Sequence, residues 1–218
     1  MIRVKICGVQ NEKDIEIAVD AGADAVGFLV GQVHVSPYFI LPGTASRLAA
    51  ALPPYIQPVL VTHYTDVDEI TELLERTKIQ TIQLHGGSKP EEVGIIRDRF
   101  PHAKIIVAAH LMNERKILEL MDFYALADAI LLDSILPEER KVGGTGKTCD
   151  WNLASDFVAN APVPVILAGG LCPDNVEEAI SKVRPFGVDA NSRLKTPEGE
   201  LDAALCREFC RKAKSLSC

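Results

Sequence analysis

The sequence has few aromatic residues and no long hydrophobic run. Aromatic side chains make up 6% of the 218 residues while hydrophobic residues make up 47%, so we expect a large core built mainly from aliphatic side chains. No run approaches the roughly 18 apolar residues of a membrane-spanning helix. The first residues also lack the layout of a signal peptide. These absences predict a cytoplasmic protein that does not contact a membrane.

Basic charge is also scarce. The formal net charge is −7, and the chain has no basic tail or patch, which argues against nucleic acid as the main partner. The acidic balance does not exclude a small anionic substrate, because backbone amides and helix N-termini can attract a phosphate inside an acidic protein.

The six cysteines lack the paired spacing of a metal site. Cys206 and Cys210 lie four residues apart in a helical pattern, but no matching Cys or His lies nearby, so a zinc site is not expected. Reduced thiols in a cytosolic protein are the favoured interpretation.

The sequence does have a regular alternation of short apolar runs and longer amphipathic segments, without a linker between halves. Such a pattern predicts a parallel sheet covered by helices. About eight such units predict one α/β domain over residues 1–218, a (β/α)₈ TIM barrel. An open doubly wound sheet is the alternative, although no G-x-G-x-x-G follows the first run. The predicted strands are Arg3–Cys7, Ala25–Val30, Val59–Thr62, Thr81–His85, Lys104–Ala108, Ala129–Asp133, Val163–Ala168 and Phe186–Asp189.

Polar residues stand at the ends of several predicted strands, where a barrel of this kind places its active site. Asp133 ends a strongly apolar run; a partly desolvated carboxyl there could hold a proton and act as a general acid, or simply cap the next loop. Cys7 has Lys5 two residues away on the same strand face and could act as a thiolate, although a lone Cys is more often a small buried hydrophobe. Gln83 and His85 share one strand face and could line the mouth without chemistry.

Loops that could offer backbone amides to one anion follow the last three predicted strands. Gly169-Gly170 and Asn191-Ser192 occupy the usual phosphate position of a barrel, and the loop with Gly144 and Gly146 borders the same region. Glycine lets backbone amides approach an anion closely, although the loop at Gly144 could also be a flexible surface turn. It does not match the nucleotide-binding motif, which needs a glycine where Lys141 stands.

Taken together, these motifs resemble those of the phosphoribosylanthranilate isomerase family of tryptophan biosynthesis, in the same order and over nearly the whole chain. The segments that carry the resemblance are Lys5-Ile6-Cys7-Gly8, Gly22-Ala23-Asp24-Ala25-Val26-Gly27-Phe28, Ile82-Gln83-Leu84-His85-Gly86, Leu131-Leu132-Asp133, Gly143-Gly144-Thr145-Gly146-Lys147-Thr148 with Asp150-Trp151, Leu167-Ala168-Gly169-Gly170-Leu171 with Pro173 and Asn175-Val176, and Gly187-Val188-Asp189.

The resemblance implies a ribulose-phosphate-binding barrel that performs an Amadori rearrangement without a cofactor or a metal. Its substrate would be a small phosphorylated sugar-amine. It implies that Asp133 is the general acid that opens the sugar ring and that Cys7 is the general base. The phosphate would lie on amides around Gly144, Gly170 and Ser192. The sequence does not distinguish a monomer from a homodimer.

Two positions depart from the family. The family usually has an arginine that binds the anthranilate carboxylate in the loop after the second strand, and Tyr38 lies nearest to its place here. A phenol cannot make the paired contacts of a guanidinium. Arg193 replaces a family glycine after Asn191 and Ser192. Two alternatives therefore stay open: a divergent isomerase of another aminoaldose phosphate, and a sugar-phosphate-binding barrel without catalysis.

Overall fold

The computed structural model describes residues 1–33, 36–110, 119–133 and 150–216. Eight parallel strands follow one another around a closed barrel, and β8 pairs with β1 through Val188 and Val4. The predicted (β/α)₈ barrel is therefore confirmed, and the open sheet is excluded. The strands are β1 Arg3–Cys7, β2 Ala25–Leu29, β3 Gln57–Thr62, β4 Thr81–Leu84, β5 Lys104–His110, β6 Ala129–Asp133, β7 Val165–Leu167 and β8 Gly187–Ala190.

Alternating side chains divide the core into two parts. On β1, Ile6 packs in the larger cluster beneath the helices, whereas Cys7 belongs to a smaller cluster inside the barrel. A strand covered on both faces needs apolar residues on both, which explains why the strands appear as continuous apolar runs. The inner cluster combines small and branched side chains: Cys7, Leu29, Val59, Val61, Ile106, Ala108, Ala129, Leu131 and Ala168.

Helices surround the barrel in the order that the amphipathic segments predict. Side chains of Asn11, Asp66, Asp150 and Asp202 accept hydrogen bonds from the first amides of the helices that follow them, which stabilises each helix start. The described helices are α1 Glu12–Asp20, α2 Pro42–Ala50, α3 Val67–Thr77, α4 Pro90–Arg99, α5 Trp151–Asn160, α6 Val176–Val183 and α7 Ala203–Ser215. Short 3₁₀ turns span Met121–Phe123 and Ser192–Leu194.

Several boundaries differ from the sequence-based expectation. The sequence predicts a helix from Thr44, but helix α2 begins at Pro42, because proline fits the first helical turn, where its missing N–H is not needed. Strand β7 begins at Val165 rather than Val163, since Pro164 has no N–H to donate to the sheet. The predicted helix from Asn113 falls mostly outside the described residues.

The described helices include none that is both long and apolar enough to cross a membrane.

Candidate active site

A buried ion pair lies inside the barrel beside Cys7. Lys5 Nζ donates to Asp189 Oδ2 at 2.7 Å, which joins β1 to β8. Burial disfavours the charge on Lys5, but Asp189 and Cys7 outweigh it, so the pKa of Lys5 is raised. Burial raises the pKa of Asp189, and the ammonium of Lys5 opposes this rise. We regard the pair as ionised near neutral pH, because the contact is short and direct.

The Cys7 thiol is 6% exposed at the C-terminal end of β1. Burial raises its pKa to about 11, Lys5 lowers it, and the charge of Asp189 raises it again. The thiol is therefore protonated near neutral pH in this structure. Lys5 supplies the positive charge that sequence reasoning required for a reactive thiolate, but burial is the larger effect.

Gly27 on β2 makes room for this arrangement. A Cβ atom at this position would lie 2.7 Å from Cys7 Sγ and 3.1 Å from Lys5 Cε. Real Cβ contacts do not become that short, so any larger residue would displace the thiol. The glycine is therefore part of what positions Cys7.

Across the barrel, Asp133 contacts His85, which contacts Gln83. His85 Nε2 lies 3.2 Å from Asp133 Oδ2, and Gln83 Nε2 lies 2.9 Å from His85 Nδ1. An amide nitrogen only donates, so Nδ1 accepts and the imidazole proton sits on Nε2, facing Asp133. The ring of His63, at the end of β3, packs edge-on against His85 with centroids 5.1 Å apart. Gln83, His85 and His63 therefore lie together at the C-terminal ends of β3 and β4.

Asp189 connects the two halves of the site. It is close enough to interact electrostatically with Asp133 and His85 as well as with Lys5, and it acts on the Cys7 thiol. Its second oxygen, Oδ1, is buried and has no hydrogen-bond partner among the described residues. Cys7 and Asp133, 126 residues apart in sequence, thus face one polar interior.

Two of the three loops that the sequence predicts to bind a phosphate lie within the described residues. Gly169 and Gly170 both have positive φ, 83° and 65°, a conformation that suits glycine and turns the backbone sharply after β7. Ser192 begins the 3₁₀ turn after β8, whose first amides have no acceptor within the turn. These loops are neighbours because β7 pairs with β8. Gly144 and Gly146 lie outside the described residues.

Asn191 and Arg193 flank Ser192 but differ in environment. The Asn191 side chain packs against Gly8, where a Cβ would lie 2.5 Å from its Oδ1. That oxygen is buried and has no partner in the described chain. Arg193 is exposed. Asn191 therefore faces the Cys7 side of the site rather than lining only the phosphate loop.

Sequence reasoning missed one residue of this region, Lys195. Its Nζ donates to Gly8 O at 2.8 Å and lies 4.5 Å from the centroid of the Tyr38 ring. A loop lysine six residues beyond Asp189 carries no pattern that distinguishes it from a surface lysine, and only the fold brings it beside Cys7. The described residues contain no group of three or more His, Cys, Asp or Glu side chains placed to hold a metal ion.

Comparison with known proteins identifies the family. Residues 4–212 match the family model of N-(5'-phosphoribosyl)anthranilate isomerase. The chain belongs to this family. An N-(5'-phosphoribosyl)anthranilate isomerase from Methanosarcina mazei is 39% identical over 214 residues, which cover 98% of this chain and 95% of the relative.

Solved structures of the same family share the barrel. Phosphoribosylanthranilate isomerase from Thermotoga maritima has a TM-score of 0.86 and 35% identity, covering 99% of this chain and all of that one. A second isomerase structure, in complex with reduced 1-(o-carboxyphenylamino)-1-deoxyribulose 5-phosphate, has a TM-score of 0.83 and 32% identity at 99% and 100% coverage. The resemblance inferred from the motifs is confirmed.

Proposed function

We propose that this protein converts N-(5'-phosphoribosyl)anthranilate to 1-(o-carboxyphenylamino)-1-deoxyribulose 5-phosphate, with Asp133 as general acid and Cys7 as general base. The observation that carries the assignment of roles is that one barrel interior holds both residues, with Asp189 interacting with each. Family membership supplies the substrate class.

Ring opening is the step assigned to Asp133. Its carboxyl gives a proton to the furanose ring oxygen while the bond from that oxygen to C1′ breaks and the anilino nitrogen forms a double bond to C1′. His85 Nε2 contacts Oδ2 of Asp133, and Gln83 Nε2 contacts Nδ1 on the other side of the imidazole. These contacts fix the acid's orientation, and orientation contributes strongly to general acid catalysis.

Proton removal from C2′ is the step assigned to Cys7. When the C2′–H bond breaks, its electrons form the C1′–C2′ double bond and the iminium nitrogen becomes neutral. The enol hydroxyl then releases its proton to water while C1′ takes one from water, which gives the 2-ketone. Cys7 and Asp133 return to their starting protonation states by exchange with water. The reacting form is the thiolate, whereas burial keeps the free enzyme's thiol protonated with a pKa of about 11. The positive iminium and Lys5 both favour the thiolate, so the base forms mainly when the intermediate is bound.

The remaining groups bind the sugar phosphate. Amides near Gly170 and Ser192 would hold the phosphate, as helix and turn N-termini commonly do. Asp189 Oδ1 is placed to accept a hydrogen bond from a sugar hydroxyl, since it has no acceptor role toward the described chain. A buried acceptor without a partner is costly, and a bound hydroxyl would remove that cost.

The decisive experiment is a direct assay that follows the loss of substrate fluorescence. We expect wild-type protein to turn over the substrate, and Cys7→Ala and Asp133→Asn each to lower kcat by about 10²- to 10⁴-fold, the usual contribution of a general acid or base. Cys210→Ala, a buried thiol on α7, and Asp156→Asn, an exposed acid on α5, serve as controls and should retain most activity. Wild-type protein that is inert on this substrate would overturn the proposed function.

A further inference from the structure

The substrate's aromatic carboxylate needs a cationic partner near Cys7. This carboxylate lies ortho to the nitrogen on C1′, only a few bonds from the C2′ proton that Cys7 removes. Across the described residues no arginine is buried, and the buried lysines are Lys5 and Lys195. Lys5 is already paired with Asp189, so Lys195 is the remaining buried cation among the described residues.

Lys195 stands beside the proposed base on a rigid support. Its Nζ donates to the carbonyl of Gly8, the residue after Cys7, and its charge is felt at the Cys7 thiol. Its backbone pairs with Leu201 across a tight turn, and Thr196 N donates to Glu200 O at 2.8 Å within that turn. The ammonium is therefore held in place before any ligand arrives.

The ammonium of Lys195 has unused binding capacity. It is 9% exposed and forms no ion pair with a carboxylate in the part of the chain that the structure describes. An ammonium has three N–H donors. One donates to Gly8 and another side faces the Tyr38 ring. Burial lowers the pKa of Lys195, and the buried carboxylate of Asp14, which forms no direct ion pair with it, opposes this only in part. An anionic ligand at the ammonium would compensate a charge that burial disfavours.

Tyr38 completes this site instead of competing with it. Tyr38 packs against the inner barrel cluster that contains Cys7, and a Cβ at Gly199 would lie 3.8 Å from its Cε1. The ring's negative face stabilises the ammonium. A guanidinium at position 38 would instead stand next to Lys195 and repel it. The neutral side chain at position 38 is thus consistent with a cation supplied by the loop after β8.

We propose that Lys195, held between the Gly8 carbonyl and the Tyr38 ring, binds the carboxylate of the substrate's aromatic ring and sets the specificity for a carboxylated aglycone. This inference rests on the isomerase activity proposed above. It assigns the positive charge at the aromatic end of the site to the loop after β8, and not to the loop after β2.

The test compares two substrates that differ only in the carboxylate: N-(5'-phosphoribosyl)anthranilate and N-(5'-phosphoribosyl)aniline. In Lys195→Met the stem keeps its length and loses its charge. We expect kcat/KM for the anthranilate substrate to fall by about 10- to 100-fold, the usual effect of removing a charged hydrogen bond. We expect kcat/KM for the aniline substrate to change by less than about 3-fold, because that substrate has no carboxylate to lose. Lys182→Met, an exposed lysine on α6, is the matched control and should alter neither value.

The outcomes separate this inference from the proposed function. Wild-type protein that is inactive on both substrates overturns the proposed function. Wild-type activity with an equal loss on both substrates in Lys195→Met, or with no loss on either, overturns the role of Lys195 and leaves the isomerase activity standing.

A second variant covers the case in which Lys195→Met does not fold. Tyr38→Leu removes the ring face and leaves the ammonium in place. We expect a smaller loss of about 3- to 10-fold that is again confined to the anthranilate substrate, as a cation–π contact contributes modestly. An equal loss on both substrates would show that Tyr38 acts only through packing, and would overturn the proposed site.

Discussion

The ammonium of Lys5 and the carboxylate of Asp189 are joined at 2.7 Å inside the barrel, and both act on the Cys7 thiol in opposite senses. Lys5 favours the thiolate, while burial and the charge of Asp189 favour the thiol. The two strands that carry the pair, β1 and β8, are the ones that close the barrel. The ion pair that tunes Cys7 therefore lies between the two strands where the barrel closes.

The opposing charges predict how Cys7 reacts with iodoacetamide. With a pKa of about 11, the thiolate fraction should rise about tenfold per pH unit from pH 7 to 10, without the plateau that an ordinary thiol shows near pH 9. Asp189→Asn removes the charge that raises this pKa and should move the curve to lower pH, whereas Lys5→Met should move it to higher pH. Mass spectrometry of the Cys7 peptide, after labelling pulses from pH 7 to 12 that are shorter than unfolding, measures the midpoint near pH 11.

The midpoint of the rate–pH curve distinguishes an electrostatic effect on Cys7 from a change in its accessibility to iodoacetamide. Altered accessibility changes the rate at every pH without shifting the curve along the pH axis. Glu75→Gln, an exposed carboxylate on α3, is the control and should leave the midpoint unchanged. Shifts of the same sign in Asp189→Asn and Lys5→Met would contradict the assignment.

Gln83 is expected to act through the tautomer of His85. In Gln83→Glu, a carboxylate beside Nδ1 would draw a proton there and convert His85 to an imidazolium, which would hold Asp133 as a carboxylate and oppose its role as an acid. Gln83→Leu only removes the donor. We expect kcat to fall by about tenfold or more in Gln83→Glu and by less in Gln83→Leu.

The pH profile of kcat is the measurement that separates this role from packing. The dependence of kcat on pH at low and neutral pH should change shape in Gln83→Glu and keep its shape in Gln83→Leu. Identical profiles with identical losses in both variants would mean that Gln83 only fills space.

Gly27→Ala tests whether the space beside Cys7 is required. The added methyl would overlap Cys7 Sγ at 2.7 Å, so we expect kcat to fall by at least about tenfold, with about 1–3 kcal/mol lost from the free energy of unfolding. Gly94→Ala is the matched control: Gly94 lies in α4 with nothing within 4 Å of a built Cβ. It should gain roughly 0.5–1 kcal/mol at unchanged kcat. Full activity in Gly27→Ala would show that Gly27 is not required to position the Cys7 thiol.

The buried thiols of α7 predict a loss of stability at alkaline pH. Burial raises the pKa of Cys206 and of Cys210 to about 12 each. Above pH 9 the unfolded chain releases these protons while the folded chain retains them, so stability falls as pH rises from 9 toward 12. Each thiol contributes a slope of up to ~1.4 kcal/mol per pH unit.

Urea unfolding at pH 8, 9, 10 and 11 measures that slope. It should be smaller in Cys210→Ala than in wild type, even though the variant is less stable at pH 8. Val183→Ala, a buried apolar truncation on α6, should lower stability by the same amount at every pH. Parallel curves for Cys210→Ala and wild type would refute the contribution of the thiol.

The sequence by itself determined the eight strand–helix units and selected most residues of the candidate site. Alternating apolar runs and amphipathic segments specify strand and helix, because each element must bury one face or both. The rule that barrel active sites lie at strand ends then selected Cys7, Gln83, His85 and Asp133, since strand ends are visible in a sequence. The departure at Tyr38 was also visible, because it is a difference of residue type within a recognisable motif.

Only the tertiary structure decided how these groups interact. Burial sets the Cys7 pKa against the effect of Lys5, and no sequence pattern reports how deeply a strand end is desolvated. Strand pairing between β1 and β8 brings Asp189 to Lys5 across 184 residues. Lys195 reaches Gly8 and the Tyr38 ring across the barrel mouth, because the loop after β8 folds back over the first strand. Contacts between residues so distant in the chain follow from barrel closure, which the local periodicity of a sequence does not encode.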